Sequence, residues 1–97
     1  MALFDLLGRR WAMGVLWTVC ENNPAPFGRL QQLCESISPT VLSQRLKDLQ
    51  EARLLTRTLK GYAPTELGAR VHQELVPLGA TAKVWSTALQ QDEQDVQ

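Results

Sequence analysis

A single histidine, two cysteines and a formal charge of zero leave this 97-residue sequence little of what metal sites, disulfide frameworks or strong electrostatic fields require. His72 stands alone within a helical pattern, where exposure or packing accounts for it, and no Cys/His spacing suits zinc. The six glycines are scattered, so no glycine-rich loop can cradle a phosphate. No nucleophile has a base in view. Catalysis, a metal and a cofactor are accordingly not expected. Cys20 and Cys34 each lie in an apolar helical pattern and read as buried, reduced thiols. A redox sensor would need exposure and basic neighbours, and neither is evident. Aromatic residues make up only 6%, and Trp11, Trp17 and Trp85 read as core and interface packing rather than a ligand cage. Apolar runs are short as well: none approaches the roughly 18 residues of a membrane span. The N-terminal MALFDLLGRRW carries an acid ahead of its first basic residue and no small-residue cleavage site. A signal peptide is therefore not expected, and the cytoplasm is the expected location.

What is present suffices for one core. Ninety-seven residues fit a single domain, and an apolar fraction of 44% supports a packed interior. A domain of this size is marginal alone and gains from burying a further helix face against a partner. The zero net charge conceals an asymmetry. Residues 1–60 hold eight Lys/Arg against five Asp/Glu, a net of +3, whereas residues 61–97 hold two against five, a net of −3. A mildly basic first part and an acidic end permit binding to nucleic acid.

Leu3, Leu7, Trp11, Val15 and Val19 recur at steps of four, which predicts helix over 3–20, in two pieces because Gly8 is a poor interior residue. Arg9 and Arg10 read first as a solvated face and second as a DNA-facing pair. The run Asn22-Asn23-Pro24-Ala25-Pro26 breaks the pattern. A short helix follows with Phe27, Leu30, Leu33 and Cys34 on one face. Ser38-Pro39 is then the strongest local signal, because Ser is a preferred N-cap and Pro suits the first helical position. From Pro39 to about Ala52, Leu42, Leu46 and Leu49 share one face, opposite Thr40, Ser43, Gln44, Lys47 and Glu51. The outer face is short, polar and mostly uncharged. Such side chains can reach base edges in a major groove; a solvated face is the plain alternative. Leu54–Leu59 reads as a strand, Lys60-Gly61 as a turn and Tyr62-Ala63 as a short return strand. Thr65 can cap a last helix whose Leu67, Val71, Leu75, Leu78, Ala82, Trp85 and Leu89 form a seam, with a kink or break expected at Pro77 and Gly79. The seam is longer than a small domain can bury within itself, which points to a partner helix. Residues after Gln90 are acidic and glutamine-rich and read as a frayed tail.

In their order and spacing these segments resemble the HxlR-type winged helix-turn-helix regulators, relatives of the MarR group. GRRWAMGVLW is similar to that family's Gly-x-Lys-Trp helix. PFGRLQQLCESISPTVLSQRLKDLQEARLLTR is similar to its helix, turn, recognition helix and first wing strand. YAPTELG resembles the segment that opens the last helix, and LVPLGATAKVW its Leu-x-Pro and tryptophan. The resemblance implies a mainly α fold with a small β-hairpin: a winged helix-turn-helix domain over residues 1–91, with terminal dimerisation helices and a disordered tail over 92–97. It also implies a homodimeric regulator that binds double-stranded DNA sequence-specifically at an inverted-repeat operator, with a small-molecule effector left open. Ser38, Thr40, Ser43, Gln44, Arg45 and Lys47 on the recognition helix, with Arg57 and Lys60 on the hairpin, are the candidate DNA contacts. Arg29 is a weaker candidate. Leu3, Leu7, Trp11, Leu75, Leu78, Ala82, Trp85 and Leu89 are the candidate dimer contacts. The alternative is a winged-helix interaction module that has lost DNA binding.

Three departures from the family pattern bear on that choice. The family wing is longer and carries a double proline, whereas here only Thr58-Leu59-Lys60-Gly61 separate Arg57 from Tyr62. Pro64 stands where the family has a strand leucine, which removes a backbone donor and is expected to hold the return strand at an edge. Arg53 replaces the usual glycine after the recognition helix, at a position that often needs left-handed backbone. Some members sense oxidants through a cysteine ahead of the first helix. No cysteine precedes Cys20 here, so that activity is not carried over.

Overall fold

The computed structural model describes residues 2–95. The elements run α1 (Leu3–Leu7), α2 (Ala12–Asn22), α3 (Phe27–Leu33), α4 (Pro39–Glu51), β1 (Leu55–Thr58), β2 (Gly61–Pro64) and α5 (Glu66–Asp95). One core joins them. Leu6, Leu7, Val15, Leu16, Val19, Leu30, Leu42, Leu46 and Leu49 bring together the inner faces of α1 to α4, and Leu54, Leu55 and Tyr62 close it from the hairpin side. Truncating a fully buried leucine such as Leu42 or Leu49 to alanine would cost roughly 2–5 kcal/mol. On α3, Leu30 and Cys34 are buried, but Leu33 is left exposed, so the apolar face of that helix is narrower than expected.

The break between α1 and α2 falls where the pattern places it, but through another residue. Gly8 keeps ordinary helical backbone at φ −78°, and Trp11 takes the left-handed conformation at φ 74°. Its ring packs half-buried on the core, with the Arg10 guanidinium stacked over it at 4.9 Å.

The ends of α4 are well defined. The Ser38 hydroxyl accepts from the Val41 N–H at 3.2 Å, and Pro39 occupies the first turn. At the far end Leu54 N–H donates to the Leu49 carbonyl and Arg53 N–H to that of Gln50, both at 2.9 Å. This pair of bonds is a Schellman motif, with Arg53 at φ 62° in the left-handed position. Leu49 and Leu54, both buried, supply its usual apolar contact. Thr65 then ties this corner to α5. Its hydroxyl donates to the Arg53 carbonyl at 2.6 Å and accepts from Gly68 N–H at 3.0 Å, which caps α5 as expected. The helix sits so close here that a Cβ on Gly68 would run into the Leu54 carbonyl.

β1 and β2 pair antiparallel, with Leu55 opposite Pro64 and Thr58 opposite Gly61, so Leu59-Lys60 is a two-residue loop. β2 is an edge strand of a two-stranded sheet, as Pro64 leads one to expect, apart from one isolated bridge. On its other side Tyr62 exchanges both backbone bonds with Ala25 at 2.8 Å, and Pro64, at the strand end, lies beyond that bridge. Gly61 is obligatory at this junction: its φ is 130°, and a Cβ would collide with the Ala25 backbone.

The last helix departs most from expectation. α5 is continuous through Pro77 and Gly79. Pro77 leaves the Gln73 carbonyl without an intrahelical donor, but both residues are exposed, so water can serve it. The helix also runs four residues into the segment expected as an irregular tail, reaching Asp95; the remainder, residues 96–97, lies outside the described residues. Its first half lies on α2 and the hairpin, whereas residues 80–92 are exposed throughout. Among the described residues no helix is long and apolar enough to cross a membrane.

Candidate nucleic-acid interface

The capped helix α4 follows α3 across a short connection, and its inner leucines fix which side faces outward. Thr40, Ser43, Gln44 and Lys47 all lie on the exposed side, and Ser38 is exposed at its start. These residues form one surface. The acceptor capacity of Ser38 is partly used by its capping bond, while its O–H remains free to donate. Arg45 is half-buried between the faces rather than on the outer one.

Beneath this surface lies a carboxylate absent from the expected site. Asp48 retains 7% of its side-chain exposure, and three residues converge on it. Gln44 Nε2 donates to Oδ1 at 2.9 Å. Arg9 Nη1, from the α1–α2 connection, lies 3.2 Å from Oδ2, and Arg45 Nε lies 3.6 Å from the same oxygen. Burial pushes the Asp48 carboxyl up. The Gln44 and Arg9 hydrogen bonds and the charges of Arg45 and Arg9 outweigh it, and the net shift is below the usual carboxylate value. Asp48 is thus an ionised acceptor in the floor of the recognition surface. Part of the signal was present in the spacing, since Gln44 and Arg45 stand four and three residues before Asp48. The Arg9 contribution required the fold. It also reassigns the arginine pair: Arg9 is an ion-pair partner, and Arg10 stacks on Trp11.

On the hairpin, Arg57 and Lys60 are exposed. The Arg57 guanidinium rests over the Tyr62 ring, 5.5 Å from its centre, which steadies it beside the sheet. Lys60 occupies the loop, where its N–H donates to Thr58 Oγ1 at 3.1 Å. Beside it Leu59 is wholly exposed, an apolar tip that the strand pattern did not single out. Arg29 is exposed on α3.

The residues expected at a dimer contact divide into two groups. Leu78, Trp85 and Leu89 are exposed along α5, at 58%, 63% and 44%, and Val84, not anticipated, is exposed at 70%. Ala82 is exposed with them, and Leu75 is half-buried. A shallow groove of about 280 Å³ runs beside this stripe, between Met13, Gly14 and Trp17 of α2 and Leu75, Leu78, Gly79 and Ala82 of α5. Leu3 is exposed on α1, next to the still more exposed Phe4. Leu7 must be corrected: it is buried in the protomer's own core and only floors the groove between α1 and α5. Trp11 likewise turns part of its surface to that core.

Two remaining groups lie elsewhere. His72 packs edge-on to Trp17 at 4.9 Å, with Nε2 3.4 Å from Glu21, so it joins α5 to α2. Both cysteines are free, and Cys34 is buried. Burial, with the Glu21 charge adding to it, raises the Cys20 thiol above its ordinary value, opposite to what a reactive thiolate needs. Among the described residues no three His, Cys, Asp or Glu side chains gather as a metal ion would require.

Comparison with known proteins places this arrangement. The HxlR-like helix-turn-helix family matches residues 6–92. Among solved structures, the chain is similar to a possible HxlR family transcriptional factor from Thermoplasma volcanium, at a TM-score of 0.80 and 28% identity, covering 90% of this chain and 84% of that one. It is also similar to quinone-bound YodB from B. subtilis, at a TM-score of 0.70 and 26% identity over 88% of this chain and 91% of that one. The activation domain of the phage T4 transcription factor MotA shares the fold at a TM-score of 0.62 and 12% identity, covering 90% of each chain. No curated protein sequence matches the chain.

Proposed function

Because the chain belongs to the HxlR-like helix-turn-helix family of transcription factors, we propose that it binds double-stranded DNA sequence-specifically as a homodimer. The carrying observation is the surface of α4. Thr40, Ser43, Gln44 and Lys47 are exposed together on a helix whose opposite face is locked into the core. Thr40, Ser43 and Gln44 are of the size and chemistry that read base edges, and Lys47 with Arg45 adds charge toward phosphate. Ser38 adds a donor at the helix start. Arg57 and Lys60 on the hairpin would meet phosphate on either side of the groove. The unpaired stripe of α5, with Leu3 and Phe4 beside its base, would receive the same stripe of a second copy. Two copies related by a two-fold axis call for an inverted-repeat operator. Oxidant sensing is outside this proposal, since Cys20 is shifted away from thiolate and Cys34 is buried.

The test is a fluorescence-anisotropy titration of the full chain against random duplex, and against sites selected from a random pool, over a salt series. Binding at low salt that weakens as salt rises, with tighter binding to selected sites, is the expected result. No binding to either duplex at low salt would overturn the proposal in favour of a winged-helix interaction module.

A further inference from the structure

Asp48 does more than neutralise two arginines. It receives a hydrogen bond from Gln44, the exposed amide side chain of α4 and one suited to a bidentate contact with a base. An ionised carboxylate can only accept, so the group facing it must be the amide N–H₂ and not the amide oxygen. Turning the amide over would set Oε1 against Oδ1 and replace an attraction by a repulsion in a place with little water. The orientation of Gln44 is therefore fixed by chemistry. One N–H is used by Asp48; Oε1 and the second N–H remain free on the exposed side.

Resting on the DNA-binding reading above, we propose that Asp48 is a positioning residue for base recognition, holding Gln44 so that its oxygen is presented as an acceptor to an exocyclic amino group in the major groove. Adenine and cytosine carry such a group there; guanine and thymine present only acceptors at the matching position. Adenine fits best, because its N7 also accepts the second N–H. Arg9 and Arg45 hold the carboxylate in turn. Arg9 comes from the connection between α1 and α2, so the segment bearing the chain's N-terminal helix is linked to Gln44 through Arg9 and Asp48.

The experiment uses the full chain and duplexes selected by it. Comparing sites selected by wild type and by Gln44→Ala identifies the position that Gln44 reads; an A·T pair is expected there, because adenine alone offers the amino group and the N7 acceptor on one base. A G·C pair at that position would overturn the proposal, as would a Gln44→Ala variant with unchanged preferences. Replacing the adenine by purine, which lacks the amino group, should weaken wild-type binding on the order of tenfold and leave Gln44→Ala unaffected; undiminished wild-type binding counts against it. Asp48→Asn supplies a donor as well as an acceptor, so the amide of Gln44 is free to turn. This variant should lose most of its discrimination at that one position without binding scrambled duplex more weakly than wild type, since losing a carboxylate beside Arg9 and Arg45 removes no attraction for phosphate. A folded Asp48→Asn with full discrimination overturns the positioning role, and one that loses affinity for all duplexes alike shows a structural role instead. If Asp48→Asn does not fold, Asp48→Ala, which removes the acceptor without adding a donor, is read in the same way. A wild type that binds no duplex would instead sink the DNA-binding reading beneath it.

Discussion

Trp11 and Arg53 both hold positive φ, at 74° and 62°, and the same strain has opposite consequences at the two positions. An L-residue in this region carries a penalty of roughly 1–2 kcal/mol that glycine escapes. Arg53 is exposed and contributes its backbone to the Schellman motif, which glycine makes equally well. Arg53→Gly should therefore stabilise the fold by roughly 0.5–1 kcal/mol, read as a higher midpoint in denaturant or heat. A destabilised Arg53→Gly would show that the side chain makes a contact worth more than the strain. Trp11 is the reverse case, because its ring packs on the core and a glycine there would forfeit that burial. The need for left-handed backbone at Arg53 was legible from its place just after the recognition helix. At Trp11 it was not, since Gly8 nearby offered the easier break. Asp48 illustrates a third situation. Its carboxyl is shifted down in the folded protein, so it contributes stability above its unfolded value of about 3.9 and loses it as pH falls through the lower folded value. The stability gap between wild type and Asp48→Asn should accordingly narrow below about pH 4, as followed by denaturant melts across an acid series. A gap that stays constant down to about pH 2 would mean that the carboxylate is not stabilised in the fold.

Elements with a local signal were legible in the sequence, and those decided by distant partners were not. Ser38-Pro39 and the three leucines placed α4 almost to the residue, because cap chemistry and helical period agreed. The hairpin was found from its composition, but its setting was not: the bridge to Ala25 joins segments far apart in sequence, and only the folded chain shows why Gly61 must lack a side chain. The same bridge fixes what the hairpin can do. β2 is bonded to β1 along its length and to Ala25 at Tyr62, so the two-residue loop projects only a short way from an anchored strand. On the proposed DNA reading, Arg57, set against Tyr62 near the base of the hairpin, and Lys60 at its tip would serve as charges for phosphate. Replacing Arg57 by Gln should weaken binding to selected and scrambled duplex by the same factor. It should also reduce the slope of log affinity against log salt by about one unit for each phosphate left without its cation, hence about two per dimer. Lys60→Gln should do the same to a smaller degree, because a two-residue loop reaches less far. Loss of base preference in either variant would place that side chain in a groove. An unchanged salt slope would place it off the DNA.

The whole molecule measures 54 × 26 × 23 Å, with a radius of gyration of 15.4 Å. A compact chain of this length would have about 12.5 Å, and the excess lies in α5. Thirty helical residues extend about 45 Å, and the stretch over residues 80–92 is exposed along its whole length. An unsupported helix of that length is marginal in water, and this one presents Leu78, Val84, Trp85 and Leu89 to solvent. A second copy laid along the stripe would bury these residues in pairs, since a two-fold interface uses each position twice. Such a dimer bears on binding as well as assembly. A dimer that sets the two α4 helices about 34 Å apart, or a small multiple of that, grips both half-sites of an inverted repeat on one face of the duplex. Once one half-site is bound, the other is met at a local concentration in the millimolar range, which can raise the overall affinity by roughly 10²–10⁴ without any new contact. Trp85→Ala should then have two linked effects. It should weaken the dimer on the order of 3 kcal/mol for each ring that is buried, so that sedimentation equilibrium finds monomer where wild type is dimeric. It should also lower affinity for the full inverted repeat by one or more orders of magnitude while binding to a single half-site stays as in wild type, because α4 and the hairpin are untouched. Gln44→Ala should do the opposite, weakening full site and half-site while leaving the dimer intact. A wild type that sediments as a monomer at micromolar concentration would remove α5 as the dimer arm, and so would a Trp85→Ala variant that weakens half-site and full-site binding equally.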